Sequence, residues 1–391
     1  MKISLLSADL SSNCLGRTYL LAKVLQRNYE VEIIGPILGD KIWQVVAQDK
    51  SIQYKSVKIK GVIRPYWQIL KLVNKIDGDV VYANKNLFTS FGVGILAKIF
   101  KGKSLILDID DWQMGFMNDA LKNKTFVWQF AYLARSVVLL YKLNSYWNSL
   151  ICEKLSYFAD DITVSNIFLK EKFGGTIVFH GRNTDIFDPK KFNASSIKEK
   201  YKIDKDKKII MFCGTVRKHK GLEDLIKAVN RLKSKDVMLI IVGVDLKDKY
   251  CKTLINDIKI ATDKKFKWYG IQSFEKVPEF LAIADIVVIP QRKNSATEGQ
   301  FPAKIFDAMS MAKPIVSTNV NDVAKVLDDN CGAVVEPEKV DSLKKSLEHI
   351  LNNYDEAKEM GIRARKKCIE KYSWDTMETL LKNVFDKYNR M

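Results

Sequence analysis

Short apolar runs alternate along the chain with longer stretches whose apolar residues recur at helical spacing. In the first half, strand-like runs fall at 3–8, 31–35, 79–83, 104–109, 161–165 and 176–179, with helical stretches at 16–27, 69–75 and 88–100. A polar, Lys-rich segment at 189–208 interrupts the pattern, which then resumes. Strands are expected at 208–212, 237–242, 266–269, 286–289, 314–317 and 333–335, and helices at 222–232, 250–260 and 277–284. Alternation of this kind predicts parallel α/β sheets, and the interruption predicts two successive doubly wound domains with ligand sites at the carboxyl ends of their strands. A chain of 391 residues also exceeds what one hydrophobic core usually serves. Neither an internal repeat nor a low-complexity segment is visible.

The longest apolar stretch, 126–141, is broken by Gln129, Arg135 and Ser136 and so reads as an amphipathic helix rather than a membrane span. Its aromatics, with Tyr146 and Trp147 beside Arg135 and Lys142, suit either a core or a bilayer interface. Net charge is +18, and much of it is local. Residues 50–103 hold 11 Lys/Arg against Asp77 and Asp79, a window of +9. Such a face attracts an anionic surface, lipid or nucleic acid, unless it is a solvated Lys-rich face. Six scattered cysteines lack metal-like spacing and read as reduced, mostly buried thiols. The apolar run at 1–6 is too short for a signal peptide. A cytoplasmic protein is expected, at most peripheral at the inner face of a membrane.

Two segments carry candidate chemistry. The run 298–309 follows a strand with Glu298, Gly299, Gln300, Pro302, Lys304 and Asp307. A loop opening a helix there presents backbone N–H groups to an anion, with Pro302 suited to the first helical turn and Lys304 adding a cation. Carboxylates at 298 and 307 suit a ligand that also carries hydroxyls. The second segment, 213–221, follows another strand: Gly214 and Gly221 permit close backbone approach, and Arg217 and Lys220 can clamp a diphosphate.

Together these segments, with Ala312-Lys313-Pro314 after them, resemble the nucleotide-sugar-binding domain of family 4 retaining glycosyltransferases of the GT-B type. The resemblance extends to Gly16, to His180-Gly-Arg182-Asn-Thr-Asp185-Ile-Phe187 and to Tyr372-Ser373-Trp374, and so covers essentially the whole chain. It implies two Rossmann-like domains facing an interdomain cleft. Residues 1–188 would form an acceptor-binding domain, completed by a C-terminal helix at about 373–391, and residues 189–372 a donor-binding domain. It implies a donor diphosphate held by Arg217, Lys220, Lys304 and backbone near Gly299 and Gln300, with Gly16, Gly214 and Gly221 lining the donor site. Glu298 would face the donor sugar and Asp307 the ribose. The common pattern has Glu at both positions with a fixed separation; here the second is Asp, and Glu298 falls one residue early.

The run Asp108-Ile109-Asp110-Asp111 closes a strand. Closely spaced carboxylates can chelate Mg²⁺ or Mn²⁺ beside a diphosphate, but three cations already serve the phosphates, so no metal or other cofactor is expected. The resemblance implies that Asp110 or Asp111 contacts donor sugar or acceptor hydroxyl; a helix cap is the competing use. Only His180, His219 and His349 are present, none in a Ser/His/Asp-like setting, which disfavours classical nucleophilic catalysis.

The expectation is therefore a hexosyltransferase moving sugar from a nucleotide donor to a sugar, glycan or lipid-linked acceptor in cell-surface polysaccharide or glycolipid assembly. Catalysis would rest on Glu298, Asp110, Arg217 and Lys220, with an anionic membrane surface as a further partner. A non-catalytic nucleotide-sugar-binding protein is the main alternative. A nucleic-acid-binding protein is less well supported, because no binding motif accompanies the charge.

Overall fold

A computed structural model describes residues 1–59, 65–122, 124–138, 143–261 and 266–389. Lys60, Arg64, Tyr141 and Lys142 lie outside the described residues. The chain divides into two units. The first comprises Met1–His180, Glu298–Phe301 and Met377–Met391, and the second Gly181–Thr297 and Pro302–Thr376.

The first unit holds a seven-stranded sheet of β1 (Lys2–Leu6), β2 (Glu30–Ile37), β3 (Gln53–Lys58), β4 (Val80–Asn84), β5 (Ser104–Ile109), β6 (Asp161–Val164) and β7 (Thr176–Ile177). All neighbours pair in parallel, in the order β3-β2-β1-β4-β5-β6-β7. The central strands β1, β4 and β5 are buried along nearly their whole length because helices cover both faces. Those helices are α1 (Leu15–Leu25), α2 (Pro65–Asn74), α3 (Val93–Lys101), α4 (Gln113–Lys122), α5 (Phe126–Val138), α6 (Tyr146–Lys154) and α7 (Ile167–Phe173). One core cluster joins Ile69 and Leu72 of α2, Ala97 of α3 and Cys152 of α6 to Val81, Leu105 and Leu107 on the sheet.

The second unit holds six parallel strands: β8 (Lys208–Cys213), β9 (Val237–Val244), β10 (Phe266–Gly270), β11 (Ile286–Ile289), β12 (Ile315–Thr318) and β13 (Ala333–Val335). Their order is β10-β9-β8-β11-β12-β13. Helices α8 (Ala194–Lys200), α9 (Leu222–Asn230), α10 (Lys249–Ala261), α11 (Val277–Ala282), α12 (Ser295–Glu298), α13 (Lys304–Ser310), α14 (Val323–Val326), α15 (Val340–Asn352) and α16 (Tyr354–Tyr372) precede α17 (Trp374–Phe385). In both sheets the strand order reverses beside the first strand, at β1/β4 and at β8/β11, so each has a switch point where a ligand site is expected.

Three segments bear on the sequence expectations. Gly16 lies inside α1, within the helical stretch expected at 16–27: Leu15 and Gly16 N–H bond back to the carbonyls of Ser12 and Asn13, each at 3.1 Å, so the turn closes before it. A Cβ there would meet the Trp43 ring at an ordinary 3.6 Å. Pro302 precedes its helix rather than opening it. Ala303 is the N-cap of α13, and the Pro302 carbonyl accepts from the Ile305 N–H at 3.0 Å in the turn leading in. A core role for 126–141 also fails over its described part, since Phe126 and Phe130 on α5 are 81% and 68% exposed. All six cysteines are free thiols, and every one except Cys14 is buried.

Candidate active site

In the second unit, the loop after β8 is shaped by glycine. Gly221 has φ 66°, and a Cβ there would lie 2.0 Å from the Pro290 carbonyl oxygen, so only glycine lets α9 begin against the end of β11. The cations of this loop fan out over neighbouring strand ends. Lys220 Nζ donates to Gln291 Oε1 at 2.7 Å, just past β11. The half-exposed Arg217 donates from Nη1 to Asp248 Oδ2 at 3.2 Å, in the loop after β9. Between them the stem of Lys304 lies over Gly214, where a Cβ would come 3.0 Å from Lys304 Cε. Three cations thus surround the carboxyl end of β8, at the switch point.

Asp307, on the first turn of α13, is buried and accepts from Arg182 Nε. Its second oxygen lies 3.7 Å from Lys304 Nζ. Arg182 is held by its backbone: its N–H donates to the Tyr372 carbonyl and its own carbonyl accepts from Trp374 N–H, both at 2.9 Å. Its remaining donors reach the carbonyls of Gly181 and Ala303, at 3.0 and 3.4 Å. The segments around 182 and 373, far apart in sequence, therefore pair and fix the carboxylate expected at the ribose. Sequence reasoning quoted Arg182 but gave it no role.

The first unit builds a second cluster at the ends of β4 and β5. Lys85 follows β4 with φ 70°, a left-handed conformation costly for a side-chain-bearing residue. Its N–H donates to the Asp108 carbonyl at 2.7 Å. The turn aims its buried ammonium at two carboxylates, 2.7 Å from Asp110 Oδ1 and 2.6 Å from Asp111 Oδ2. Burial pushes the Asp110 carboxyl up to about 6 against the pull of Lys85, with Asp111 and Asp108 adding to the rise. His180 Nε2 stands 4.0 Å from Asp110 Oδ2. Lys85 was missed from sequence; the polar run Asn84-Lys85-Asn86 at a strand end was the available signal.

Asp108 adjoins this cluster through Asn84 Nδ2, which donates to Asp108 Oδ2 at 2.7 Å and to Asp110 Oδ1 at 3.4 Å, but it faces a different cation. Its carboxylate accepts from Arg17 Nη2 at 2.9 Å and Nε at 3.1 Å, and from Thr163 at 2.8 Å, deep in the sheet. The two acids of the apparent metal motif therefore point to different cations, Arg17 and Lys85. Among the described residues no group of three or more His, Cys, Asp or Glu could hold a metal ion.

Residues 298–301 pack with the first unit. A Cβ on Gly299 would lie 2.3 Å from Trp112 Cβ, the Gly299 carbonyl accepts from Asn166 Nδ2 at 3.2 Å, and Gln300 Nε2 donates to Asp111 Oδ1 at 3.0 Å. Glu298 is exposed at the end of α12. The expected site residues thus form two groups: Glu298, Gly299 and Gln300 lead into the Asp110–Asp111 turn, whereas Gly214, Arg217, Lys220, Gly221, Lys304 and Asp307 cluster at the β8 end. Gly16, inside α1, belongs to neither group.

Residues 193–367 match the family model described as glycosyl transferases group 1. An uncharacterized glycosyltransferase of Methanocaldococcus jannaschii is 26% identical over 183 residues, 46% of this chain and 45% of the relative. A second uncharacterized glycosyltransferase of that organism is 24% identical over 337 residues, 82% of this chain and 78% of its own length. The first match spans less than half of the relative's length. Among solved structures, the Anabaena protein HepE in complex with UDP-glucose superposes with a TM-score of 0.78 at 14% identity, over 99% of this chain and 100% of that one. The fold is GT-B, and residues 193–367 of the second unit are similar to the group 1 glycosyl transferases.

Proposed function

We propose that the protein transfers a sugar from a nucleoside diphosphate donor to an acceptor hydroxyl. The observation that carries this reading is the fan of Arg217, Lys220 and Lys304 around the carboxyl end of β8, at the switch point of the unit that matches the group 1 family. Preorganised cations stabilise charge where it develops. As the bond from the sugar C1 to the diphosphate oxygen breaks, its electron pair passes to the diphosphate, and these three side chains meet the growing charge. No metal is assigned a part. Asp307, fixed by Arg182, is assigned to the ribose hydroxyls.

The acceptor oxygen forms the new bond to C1, and its proton passes to the departing phosphate oxygen on the same face, which retains configuration. Asp110 and the loop from Glu298 to Gln300 are assigned to hydroxyls of the donor sugar or acceptor. We assign the acceptor to the glycans or lipid-linked sugars of cell-surface assembly, and the enzyme to the cytoplasmic side. HepE was solved with UDP-glucose, which makes UDP-sugars the first donors to try.

The test is release of nucleoside diphosphate from a panel of UDP-, GDP- and ADP-sugars, with and without simple acceptors. Turnover of at least one donor, abolished in Arg217→Ala while the circular dichroism spectrum stays unchanged, supports the reading. Full activity in that variant overturns the clamp. Donor binding with no turnover under any condition would convert the assignment to a nucleotide-sugar-binding protein.

A further inference from the structure

One side of the first unit presents large apolar side chains to solvent where a folded domain normally buries them. Trp67 on α2 is 70% exposed, Ile99 and Phe100 on α3 are 63% and 71%, Phe126 and Phe130 on α5 are 81% and 68%, and Tyr157 is 73%. Single exposed apolar residues are ordinary; an adjoining set marks a surface that meets something.

These residues belong to one continuous layer. Asn148 Nδ2 on α6 donates to the Tyr66 hydroxyl on α2 at 2.7 Å, and α2 packs against α3. Lys98 Nζ on α3 donates to the Phe158 carbonyl at 2.9 Å, in the turn that carries Tyr157. Trp147 Nε1 on α6 donates to the Leu133 carbonyl of α5 at 3.1 Å. The inner faces of α2, α3 and α6 are spent on the sheet through Ile69, Leu72, Ala97 and Cys152. Only the outer faces remain.

The charge on three helices of that layer, α2, α3 and α5, is of one sign. Helices α2, α3 and α5 carry Lys71, Lys98, Lys101 and Arg135 and not one Asp or Glu. Lys98 pairs with Asp160 at 2.5 Å, whereas Lys71 and Arg135 stand exposed. Lys124, at the entry to α5, sits 5.0 Å from the centre of the Trp128 ring, which stacks on Tyr132. Aromatic rings interspersed with cations match the boundary between acyl chains and anionic headgroups, the rings entering and the cations pairing with phosphate. A second copy of the chain fits less well, because a two-fold contact through this face would set cations against cations. Among the described residues no helix is long and apolar enough to cross a membrane, so the contact would be one of lying on the surface.

We propose that this face, centred on α3 and α5, docks the protein onto an anionic phospholipid bilayer. The test is co-sedimentation of the full chain with vesicles of phosphatidylglycerol and phosphatidylcholine, against vesicles of phosphatidylcholine alone, at 0.1 and 0.5 M salt. Expected are binding to the anionic vesicles, weakening at the higher salt, and a blue shift of tryptophan emission on binding. Phe100→Ser, Phe126→Ser and Phe130→Ser combined should lower partitioning by at least about tenfold. Lys71→Gln and Arg135→Gln should each lower it by roughly fivefold. All five positions are exposed, so the thermal melt should not change. Absence of binding to anionic vesicles, or equal binding of wild type and the triple variant, overturns the proposal. So does sedimentation velocity showing a dimer that the triple substitution dissolves. Because the readout needs no turnover, its failure would leave the donor assignment standing, and the reverse holds too.

Discussion

Replacing Asp307 by Ala removes the carboxylate from a guanidinium that is only 4% exposed. Breaking a buried pair from one side typically costs about 3–5 kcal/mol, because the surviving charge has lost both water and partner. Here Arg182 keeps two carbonyl acceptors, Gly181 and Ala303, so the lower end, about 3 kcal/mol, is the expected loss. For a unit of this size that corresponds to a fall of roughly 6–12 °C in melting temperature. Differential scanning calorimetry of the full chain should show the transition of the second unit moving while that of the first stays in place. Arg182→Met combined with Asp307→Leu should recover most of the loss, since an apolar pair of similar volume replaces a buried ion pair at little cost. Donor turnover should remain lost in every variant of the cycle. A single Asp307→Ala cost below about 1 kcal/mol, or a double variant as unstable as the sum of the singles, would refute the reasoning.

Asp110 gives a pH signature. Burial raises its folded carboxyl from 3.8 to about 6, so between about pH 4 and 6 the native state holds a proton that the unfolded chain has released. Stability should therefore fall as pH rises through that window, by about 3 kcal/mol, and urea midpoints of Asp110→Asn should lack this slope. Lys85→Met should drive the Asp110 carboxyl higher still, because its only nearby ammonium partner among the described contacts goes; carbon-13 NMR titration of Asp110 would report it, and an unchanged midpoint would contradict the pairing. Gly221→Ala must place a Cβ against the Pro290 carbonyl at φ 66°, so it should cost roughly 2–4 kcal/mol in denaturant and weaken donor binding. A neutral Gly221→Ala would show that the loop relaxes freely.

The interior strands were legible because a parallel sheet covered on both faces needs unbroken apolar runs, as in Val237–Val244 and Ile286–Ile289. The edge strand Gln53–Lys58 was not, since with one neighbour and half-exposed faces it tolerates Lys55 and Lys58 and loses the apolar signature. The loop proposed to hold the diphosphate could be singled out from Gly214, Arg217, Lys220 and Gly221 because close approach and charge are properties of residue types. The partners of Asp307 and Asp110 could not. Arg182 lies 125 residues from Asp307, and Lys85 reaches Asp110 only through a left-handed turn that its sequence does not demand. Helix α5 shows the same limit from the other side. Its apolar periodicity announced a buried stripe, but periodicity does not say whether protein or another medium covers it.

The early placement of Glu298 takes on a physical meaning once its neighbours are known. Had 298–309 been one continuous anion loop, Glu298, Lys304 and Asp307 would answer to the same strand end. Instead Gly299 is pressed onto Trp112 with its carbonyl held by Asn166, and Gln300 bonds Asp111, while Lys304 lies over Gly214 and Asp307 over Arg182. Phe301 and Pro302 fall where the chain passes from one unit to the other. The first part of the motif therefore shares its fate with Asp110, whose titration is set by burial and Lys85, and the second with the cations around the end of β8. A carboxylate in the first part is fixed by how Gly299 and Gln300 dock, not by helical spacing from Asp307. The separation of the two acids along the chain is then a poor measure of their separation in space, and a shift of one residue at 298 does not by itself argue for lost activity.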